Sequence, residues 1–248
     1  MIRSLAYVFG LWSGMACAEP MITGAAFDDP TKRYAHGILG DAVEWGKLRF
    51  NTANAPGDVA DAGESWAGRA FSITLPEDHV FEDVWPRLWD VTGDGLPEMV
   101  VVETDVTAGS ALAIYNHTGK LAETPHIGQP NRWLAPIAAA DLDGDGQIEI
   151  AYIDRPHLAK TLRVWRFADG ALVPVADFEG LTNHRIGEAD IGGGLRDCGD
   201  GPELITANAD WSQVMATTLR DGVIETRPIG AHVDRGSFAT ALDCAPLP

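Results

Sequence analysis

The chain is poor in basic residues. Its 248 residues include 18 Lys and Arg against 36 Asp and Glu, which gives a formal net charge of -18. A surface of this sign repels nucleic acid and anionic lipid, so we expect no nucleic-acid partner. The acidic residues favour solubility, and some of them can cluster to hold cations.

No apolar run is long enough to cross a membrane. The longest begins at Leu5 and ends at Trp12, far short of the roughly 20 residues that a membrane span needs. Arg3 precedes this run, and small residues ending at Ala18 follow it, which is the pattern of a secretory signal. We therefore expect residues 1–18 to be a signal peptide and the rest to be an exported periplasmic or extracellular protein. A buried N-terminal segment, or a lipoprotein anchored at Cys17, is the alternative.

The sequence also lacks the motifs of common enzyme classes. It contains no G-x-S-x-G, no H-E-x-x-H and no P-loop, which argues against a serine-hydrolase elbow, a zinc-protease helix and a nucleotide site. No segment shows helical periodicity over a window of about 11 residues. An all-β protein without an evident catalytic motif is the first expectation.

Cysteine is scarce. Three are present, and Cys17 falls within the expected signal, so Cys198 and Cys244 remain. In an exported protein they form one intramolecular disulfide or stay as two free buried thiols.

A short apolar run that ends in Asp recurs about every 50 residues, a period typical of repeat architectures. The four runs are Val84–Asp90, Leu134–Asp141, His184–Asp190 and Ser237–Asp243. Each of the first three is followed by a turn and by a β-rich run, and then by two further strands joined at a Gly-bearing hairpin turn such as Asp169-Gly170. Each unit therefore predicts four short antiparallel strands.

Four-stranded units in series predict a small β-propeller, here of four blades with four antiparallel strands each. The first blade would take its later strands from Tyr34–Asp41, Val43–Phe50 and Ala70–Leu75. The C-terminal strand Ser237–Asp243 would join that N-terminal blade and close the ring, which removes exposed sheet edges. Residues 19–248 would form this single domain, with a five-bladed or open arrangement as the alternative.

The two cysteines fit such a closure. Cys198 and Cys244 each follow an Asp at comparable positions of neighbouring units. A Cys198–Cys244 disulfide would then hold the closing strand against its neighbour and restrict the unfolded chain.

The second unit contains an acidic loop suited to a hard cation. Three Asp residues stand at loop positions 1, 3 and 5, Gln147 at position 7 offers its backbone carbonyl, and Glu149 stands at position 9; the Asp residues are Asp141, Asp143 and Asp145. Ca²⁺ accepts six to eight such oxygen ligands. Position 12 is Tyr152, within a strand pattern, which excludes an EF-hand.

Two related loops are less complete. In the upstream copy the corresponding positions are Asp90, Thr92, Asp94, Leu96 and Glu98. Thr92 removes one negative charge, so we expect weaker binding there. The downstream copy, Asp197–Glu203, is two residues shorter, and we expect the disulfide rather than an ion to stabilise it. The simpler interpretation of all three is acidic glycine turns in a hairpin-rich protein.

These D-x-D-x-D-G-x-x-E loops resemble the FG-GAP or VCBS repeats of bacterial exported proteins, which are related to the propeller of integrin α subunits. The resemblance covers residues 85–210 by motif and the remainder by strand pattern. It implies structural Ca²⁺ in the blade loops, with the Asp141–Glu149 ligands first and the Asp90–Glu98 ligands second. Thr92, the short third loop and the low blade count depart from the family pattern.

Histidines are the candidates for an active site. They lie near strand starts or loop ends, at His36, His126, His157, His184 and His232. Surface or hydrogen-bonded histidine is the simpler interpretation. We expect a non-catalytic module that binds a protein or glycan partner. The alternative is a hydrolase or lyase, and it requires His157, His184, Asp154 and Arg155 to converge in one pocket.

Overall fold

The computed structural model describes residues 20–56, 65 and 67–248, so the expected signal peptide lies outside the described residues. Within these ranges the protein is all-β apart from one short helix. The strands form three mainly antiparallel sheets. No helix within these ranges combines the length and apolar character that a membrane crossing requires.

The first sheet has eight strands. They are β1 Pro20–Thr31, β2 Glu44–Asn54, β3 Arg69–Thr74, β4 His79–Phe81, β5 Arg87–Trp89, β6 Glu98–Asp105, β7 Gly109–Asn116 and β8 Gly119–Glu123. The long hairpin of β1 and β2 is thereby joined through β4 to the first repeat unit.

The second sheet follows its predicted unit closely, and the third follows its own in all but the first strand. The second contains β9 Leu134–Ala140, β10 Glu149–Asp154, β11 Thr161–Ala168 and β12 Ala171–Glu179. The third contains β13 Leu181–Thr182, β14 Gly194–Asp197, β15 Pro202–Asn208, β16 Gln213–Arg220 and β17 Val223–Ala231. The hairpin between β11 and β12 turns at Asp169 and Gly170, with φ of 51° and 77°, as a tight antiparallel turn requires.

The second sheet packs between the other two. Because successive side chains of a strand point to opposite faces, β10 sends Ile150 and Tyr152 into a core shared with the first sheet. Its alternate residues Ala151 and Ile153 enter the core shared with the third. Burial on both faces explains why β10 has no charged residue between Glu149 and Asp154.

In the first and third sheets, two short strands pair with the same neighbour. β4 and β5 both pair with β6, and β13 and β14 both pair with β15. The corresponding strand of the second sheet, β9, is continuous but carries a register shift opposite Ala151 and Tyr152. The residues between β4 and β5, and between β13 and β14, therefore leave the sheets as connecting segments.

Three predicted strands are wrong, and glycine explains two of them. Tyr34–Asp41 connects β1 to β2, because Gly37 and Gly40 adopt left-handed φ values of 67° and 95°. His184–Asp190 lies in the connection between β13 and β14, where Gly187 has φ of 88° and donates its N–H to the Ile38 carbonyl at 3.0 Å. The β15 edge is paired instead by β13 and β14.

The predicted closing strand is a helix, α1 Gly236–Leu242. Phe238 and Ala241, three residues apart, lie on one helical face and pack on Ile205 and Val214 of the third sheet. The chain end therefore covers the third sheet instead of joining the N-terminal hairpin, and closure by a C-terminal strand is wrong. The described residues form three sheets rather than four separate blades.

Candidate functional site

The Asp141–Glu149 loop connects β9 to β10 and folds around its own carboxylates. Asp141 Oδ1 accepts the Gly144 N–H at 2.7 Å, and Asp141 Oδ2 accepts the Gly146 N–H at 2.9 Å. Glu149 accepts the Leu142 N–H at 2.9 Å. Gly144 and Gly146 have φ of 80° and 86°, which a side chain would disfavour. The first and last carboxylates of the loop are thus fixed by its backbone.

The upstream loop between β5 and β6 repeats this geometry. Asp90 accepts the N–H groups of Gly93 at 2.7 Å and Gly95 at 2.9 Å. Glu98 accepts the Val91 N–H at 2.9 Å. The two loops are therefore structural copies, as their sequences predicted.

A possible cation position exists in the second copy. Ligand oxygens of Asp141, Asp143 and Glu149 all lie within 4.8 Å of one another. Glu149 is fully buried, whereas the loop's other acids are more accessible. Asp145 and Gln147 lie next to this triad, and the Gln147 N–H donates to Asp145 Oδ1 at 2.9 Å. Hard carboxylate oxygens at this spacing suit a divalent cation.

An arginine already contacts these acids. Arg166 of β11 lies opposite Glu149 in the strand register. Its Nε donates to Glu149 at 2.5 Å, and its terminal nitrogens lie 3.2 Å from Asp143 Oδ2 and 2.9 Å from Asp145 Oδ2. Burial raises the pKa of Glu149, while hydrogen bonds from Leu142 and Arg166 oppose that shift. The guanidinium therefore offsets part of the negative charge of the loop.

The other two acidic loops differ from this one, and from each other, in their ion pairs. Among the described residues, no basic side chain forms an ion pair with Asp90, Asp94 or Glu98, and burial raises the pKa of Glu98. In the third copy, Glu203 pairs with Arg196 at 2.7 Å and also with Arg227. The third copy therefore has two arginines where the upstream copy has none.

Sequence analysis missed these arginines, although their signal was present. In an antiparallel pair, opposite residues on one face interact, and Arg166 stands opposite Glu149 once β10 and β11 are aligned. In the upstream unit Tyr115 pairs with Met99, which places Asn116 opposite Glu98. Strand register thus shows which loop has a basic residue across from its Glu, a difference that the loop residues themselves do not reveal.

Cys198 and Cys244 form a disulfide with Cα atoms 5.8 Å apart, as predicted. It connects the third acidic loop to the residue that follows α1 and its C-cap, Asp243. The bond therefore fastens the C-terminal helix, rather than a closing strand, to the third sheet. A disulfide is consistent with an exported protein.

The predicted polar cluster partly converges. Arg155 and His157 line one cavity of about 270 Å³ together with His36. His184 is fully buried behind them, with its Nδ1 3.1 Å from His157 Nε2. Asp154 holds Arg155 through two hydrogen bonds of 2.8 and 2.9 Å. The four proposed residues thus form two pairs, and one member of each reaches the cavity.

The histidine pair has a defined proton arrangement. His184 Nε2 lies 2.8 Å from the Glu188 carbonyl, which only accepts, so this nitrogen carries the proton. Burial lowers the pKa of His184, and it lowers the pKa of His157 to about 4. Both rings are therefore neutral near pH 7, and His157 Nε2 donates to His184 Nδ1.

His36 belongs to a separate buried group. Its Nδ1 lies 2.6 Å from Glu82, which is fully buried and also accepts from Thr104 Oγ1 at 2.8 Å. The Trp133 Nε1–H donates to the Glu82 carbonyl at 2.8 Å. Of the other predicted histidines, His126 contacts His79 and His232 contacts Trp211, so neither joins the cavity.

Fold and loops together define an all-β repeat protein with acidic turns between paired strands. Comparison with protein families agrees, because residues 90–152 match the model of the FG-GAP-like repeat. The matched segment begins at Asp90, spans both nine-residue acidic loops and ends within β10. The resemblance to FG-GAP repeats seen in the sequence is therefore confirmed for residues 90–152.

Among solved structures, the chain is similar to an exotype rhamnogalacturonan lyase, YesX. The two share 16% identity with a TM-score of 0.42, and the alignment covers 84% of this chain. It covers 47% of the lyase chain, so the protein spans about half the length of that structure. A search of curated proteins gave no match.

Proposed function

We propose that the protein is an exported, Ca²⁺-stabilised repeat module of the propeller type that binds a protein or glycan partner. The observation that carries the metal part of the proposal is the cluster of Asp141, Asp143 and Glu149 oxygens within 4.8 Å. The disulfide supports an oxidising, exported location.

The donor set fits Ca²⁺ better than a transition metal. Every side-chain donor in the cluster is a carboxylate, and neither histidine nor cysteine belongs to it. Carboxylate and carbonyl oxygen favour Ca²⁺ or Mg²⁺, whereas zinc favours nitrogen and sulfur. Asp141, Asp143, Asp145, Gln147 and Glu149 would hold the first ion, and Asp90, Thr92, Asp94, Leu96 and Glu98 a second.

A bound ion would act on structure, because each loop joins two strands of one sheet. Asp141 and Glu149 fix both ends of the loop through backbone N–H groups. A cation between them would offset repulsion among the acids, as Arg166 already does in part. The ion would therefore stabilise the β9–β10 connection rather than take part in a reaction.

Thermal unfolding tests this role. The melting temperature should rise between chelator and about 5 mM Ca²⁺, since extracellular sites bind with Kd of roughly 10⁻⁴ to 10⁻³ M. Asp143→Asn should remove most of the rise, because it removes a charge and keeps an Oδ1 atom that can accept the Asp145 N–H, as Asp143 does at 3.3 Å. Asp200→Asn, in the short third loop, is the matched control. Equal melting temperatures in chelator and Ca²⁺ would reject the proposed stabilisation.

A hydrolase or lyase is the second candidate. It is supported by the placement of Arg155, His157 and His36 around one cavity. With a pKa of about 4, His157 is a weak base near pH 7. His36, which Glu82 orients at the same cavity, is therefore the base that this proposal tests. Turnover of polysaccharide or phosphate-ester substrates that is abolished in His36→Gln would support this function. Equal product formation by the wild type and His36→Gln would reject it.

A further inference from the structure

The cavity and the Asp141–Glu149 loop lie at opposite ends of the same strand, β10. Glu149 begins β10, whereas Arg155 follows its last residue, Asp154. The cavity walls come from connecting segments between strands of all three sheets; they include His36, Arg132, Trp133, Arg155, His157 and Ile186. Its surface is mostly apolar, so its few polar groups would determine what it binds.

Arg155 is held in an unusual backbone conformation at this cavity. Its φ of 47° is left-handed, which is unfavourable for a residue with a Cβ atom. The backbone fixes it, because its N–H donates to the Trp133 carbonyl at 3.0 Å and its carbonyl accepts from Leu158 at 2.8 Å. Asp154 occupies Nε and Nη2 of its guanidinium. Among the described residues Nη1 has no hydrogen-bond partner.

Arg132 supplies an uncompensated positive charge at the same wall. Its Nη1 donates to the Asn131 carbonyl at 2.8 Å. Across residues 20–56, 65 and 67–248 it forms no ion pair with Asp or Glu, although the chain carries twice as many acids as bases. A guanidinium left without a carboxylate is suited to an anionic group of a ligand.

The rim of the cavity is apolar. Leu158 and Ile186 are 65% and 69% exposed and both line it. Exposed aliphatic side chains beside arginines suit a ligand that combines a charged group with an apolar face. The cavity volume is slightly below the roughly 300 Å³ at which ligand pockets of drug size begin, so one ring is the appropriate size.

We propose that this cavity binds a small carboxylate. Arg132 and Nη1 of Arg155 would hold the acid group, and Leu158 and Ile186 would contact a body of one ring. An aromatic acid and a uronic-acid sugar share this chemistry. This inference rests on the proposed binding function and specifies the chemical class of ligand that the protein binds.

Calorimetric titration of the full chain in Ca²⁺-containing buffer tests the proposal. The probes are benzoate and glucuronate, with benzyl alcohol, glucose and inorganic phosphate for comparison. We expect one of the carboxylates to bind at least tenfold more tightly than its neutral counterpart and than phosphate. Arg132→Gln should weaken that binding about tenfold, the effect of one charge-assisted hydrogen bond. Arg220→Gln removes the same charge from an exposed site on β16 and should leave binding unchanged.

Three results would overturn the carboxylate site. They are no binding of either acid at about 10 mM, phosphate binding as tight as the acids, and equal affinities of the wild type and Arg132→Gln. Selective binding to a neutral glycan on an array, together with any of these, would leave the proposed binding function standing and reject only this ligand class. Preference for benzoate would identify the ligand as an aromatic acid, and preference for glucuronate would identify it as a uronic-acid sugar.

Discussion

Glu44 shows how strongly single carboxyl groups respond to this fold. It begins β2, is 3% exposed, and lies near Glu82 and Asp83, which are also buried. Burial raises its pKa from 4.5 to about 9, and the nearby charges of Glu82, Asp41 and Asp83 add to the shift. Glu44 is therefore protonated in the folded protein at neutral pH, and ionised in the unfolded chain.

This difference makes stability depend on pH. Because the folded pKa is the higher one, the contribution of Glu44 is fully present below about pH 4.5 and is lost as the pH rises to about 9. Glu44→Gln should reduce the fall in unfolding free energy between pH 5 and 9, measured by urea unfolding. Glu77→Gln, whose side chain is 95% exposed in the wild type, is the control. An unchanged slope in Glu44→Gln would contradict a buried neutral Glu44.

The backbone geometry of the two nine-residue acidic loops could be predicted from sequence, because their acidic residues lie close together along the chain. That these residues hold an ion stays a prediction. The sequence did not predict the cavity. His36, Arg132, Arg155 and Ile186 come from segments more than 20 residues apart, and their meeting depends on how three sheets pack. Residue patterns describe local turns, whereas such a cavity arises from contacts distant in sequence.

At the scale of elements, the pair of β10 and β11 determines the charge of the second loop. Glu149 is fully buried, and Arg166 is its ion-pair partner across the strands. Removing one partner of a buried pair leaves an uncompensated charge. The same carboxylates can be neutralised by a cation, so the arginine and the ion should substitute for each other.

Arg166→Gln tests this relation. In chelator it should lower the unfolding free energy by roughly 3 kcal/mol, the cost of breaking a buried pair. In millimolar Ca²⁺ the loss should be smaller, since the ion restores positive charge beside Glu149. Arg163→Gln, on the same strand but paired with Asp154 and Asp177, should show no such dependence. An equal loss for Arg166→Gln in both conditions would show that the ion and Arg166 do not act on the same acids.

The C-terminal helix is one of three segments for which the sequence predicted a strand that the fold does not contain. Its seven residues are too few to show a clear period, and both a strand and a helix place some apolar residues on one side. The surface beneath the segment favours the helix, because Phe238 and Ala241 pack against Ile205 and Val214. That surface lies more than 20 residues upstream, so the helix is a tertiary effect.

The disulfide should matter because it holds this helix in place. Cys198 and Cys244 are separated by 46 residues, and closing a loop of that length stabilises the fold by about 4 kcal/mol in the chain-entropy model. The double variant Cys198→Ser, Cys244→Ser should lose about that amount in urea unfolding. Reduction of the wild type should have the same effect, while the double variant should not respond to reductant. Equal stability of the double variant and the wild type would contradict the role assigned to the bond.

At the scale of the whole molecule, most of the strands that were predicted correctly belong to the repeated units. The second unit has all four expected strands and the third has three of them, because both preserve the turn, the buried strand and the hairpin. The N-terminal part departs from the repeat: β1 pairs along its length with β2 and joins the first unit in one sheet. No acidic loop marks that region, so its arrangement had no motif to reveal it.

Direct measurement of Ca²⁺ binding tests the central claim that the Asp141–Glu149 loop holds a structural ion. Isothermal titration of the chelator-treated protein should show binding with Kd of roughly 10⁻⁴ to 10⁻³ M. Asp143→Asn should lose the binding of this loop and keep at most the weaker binding of the Asp90–Glu98 loop, whereas Asp200→Asn should bind as the wild type does. Absence of Ca²⁺ binding in the wild type, or equal binding by the wild type and Asp143→Asn, would contradict the claim.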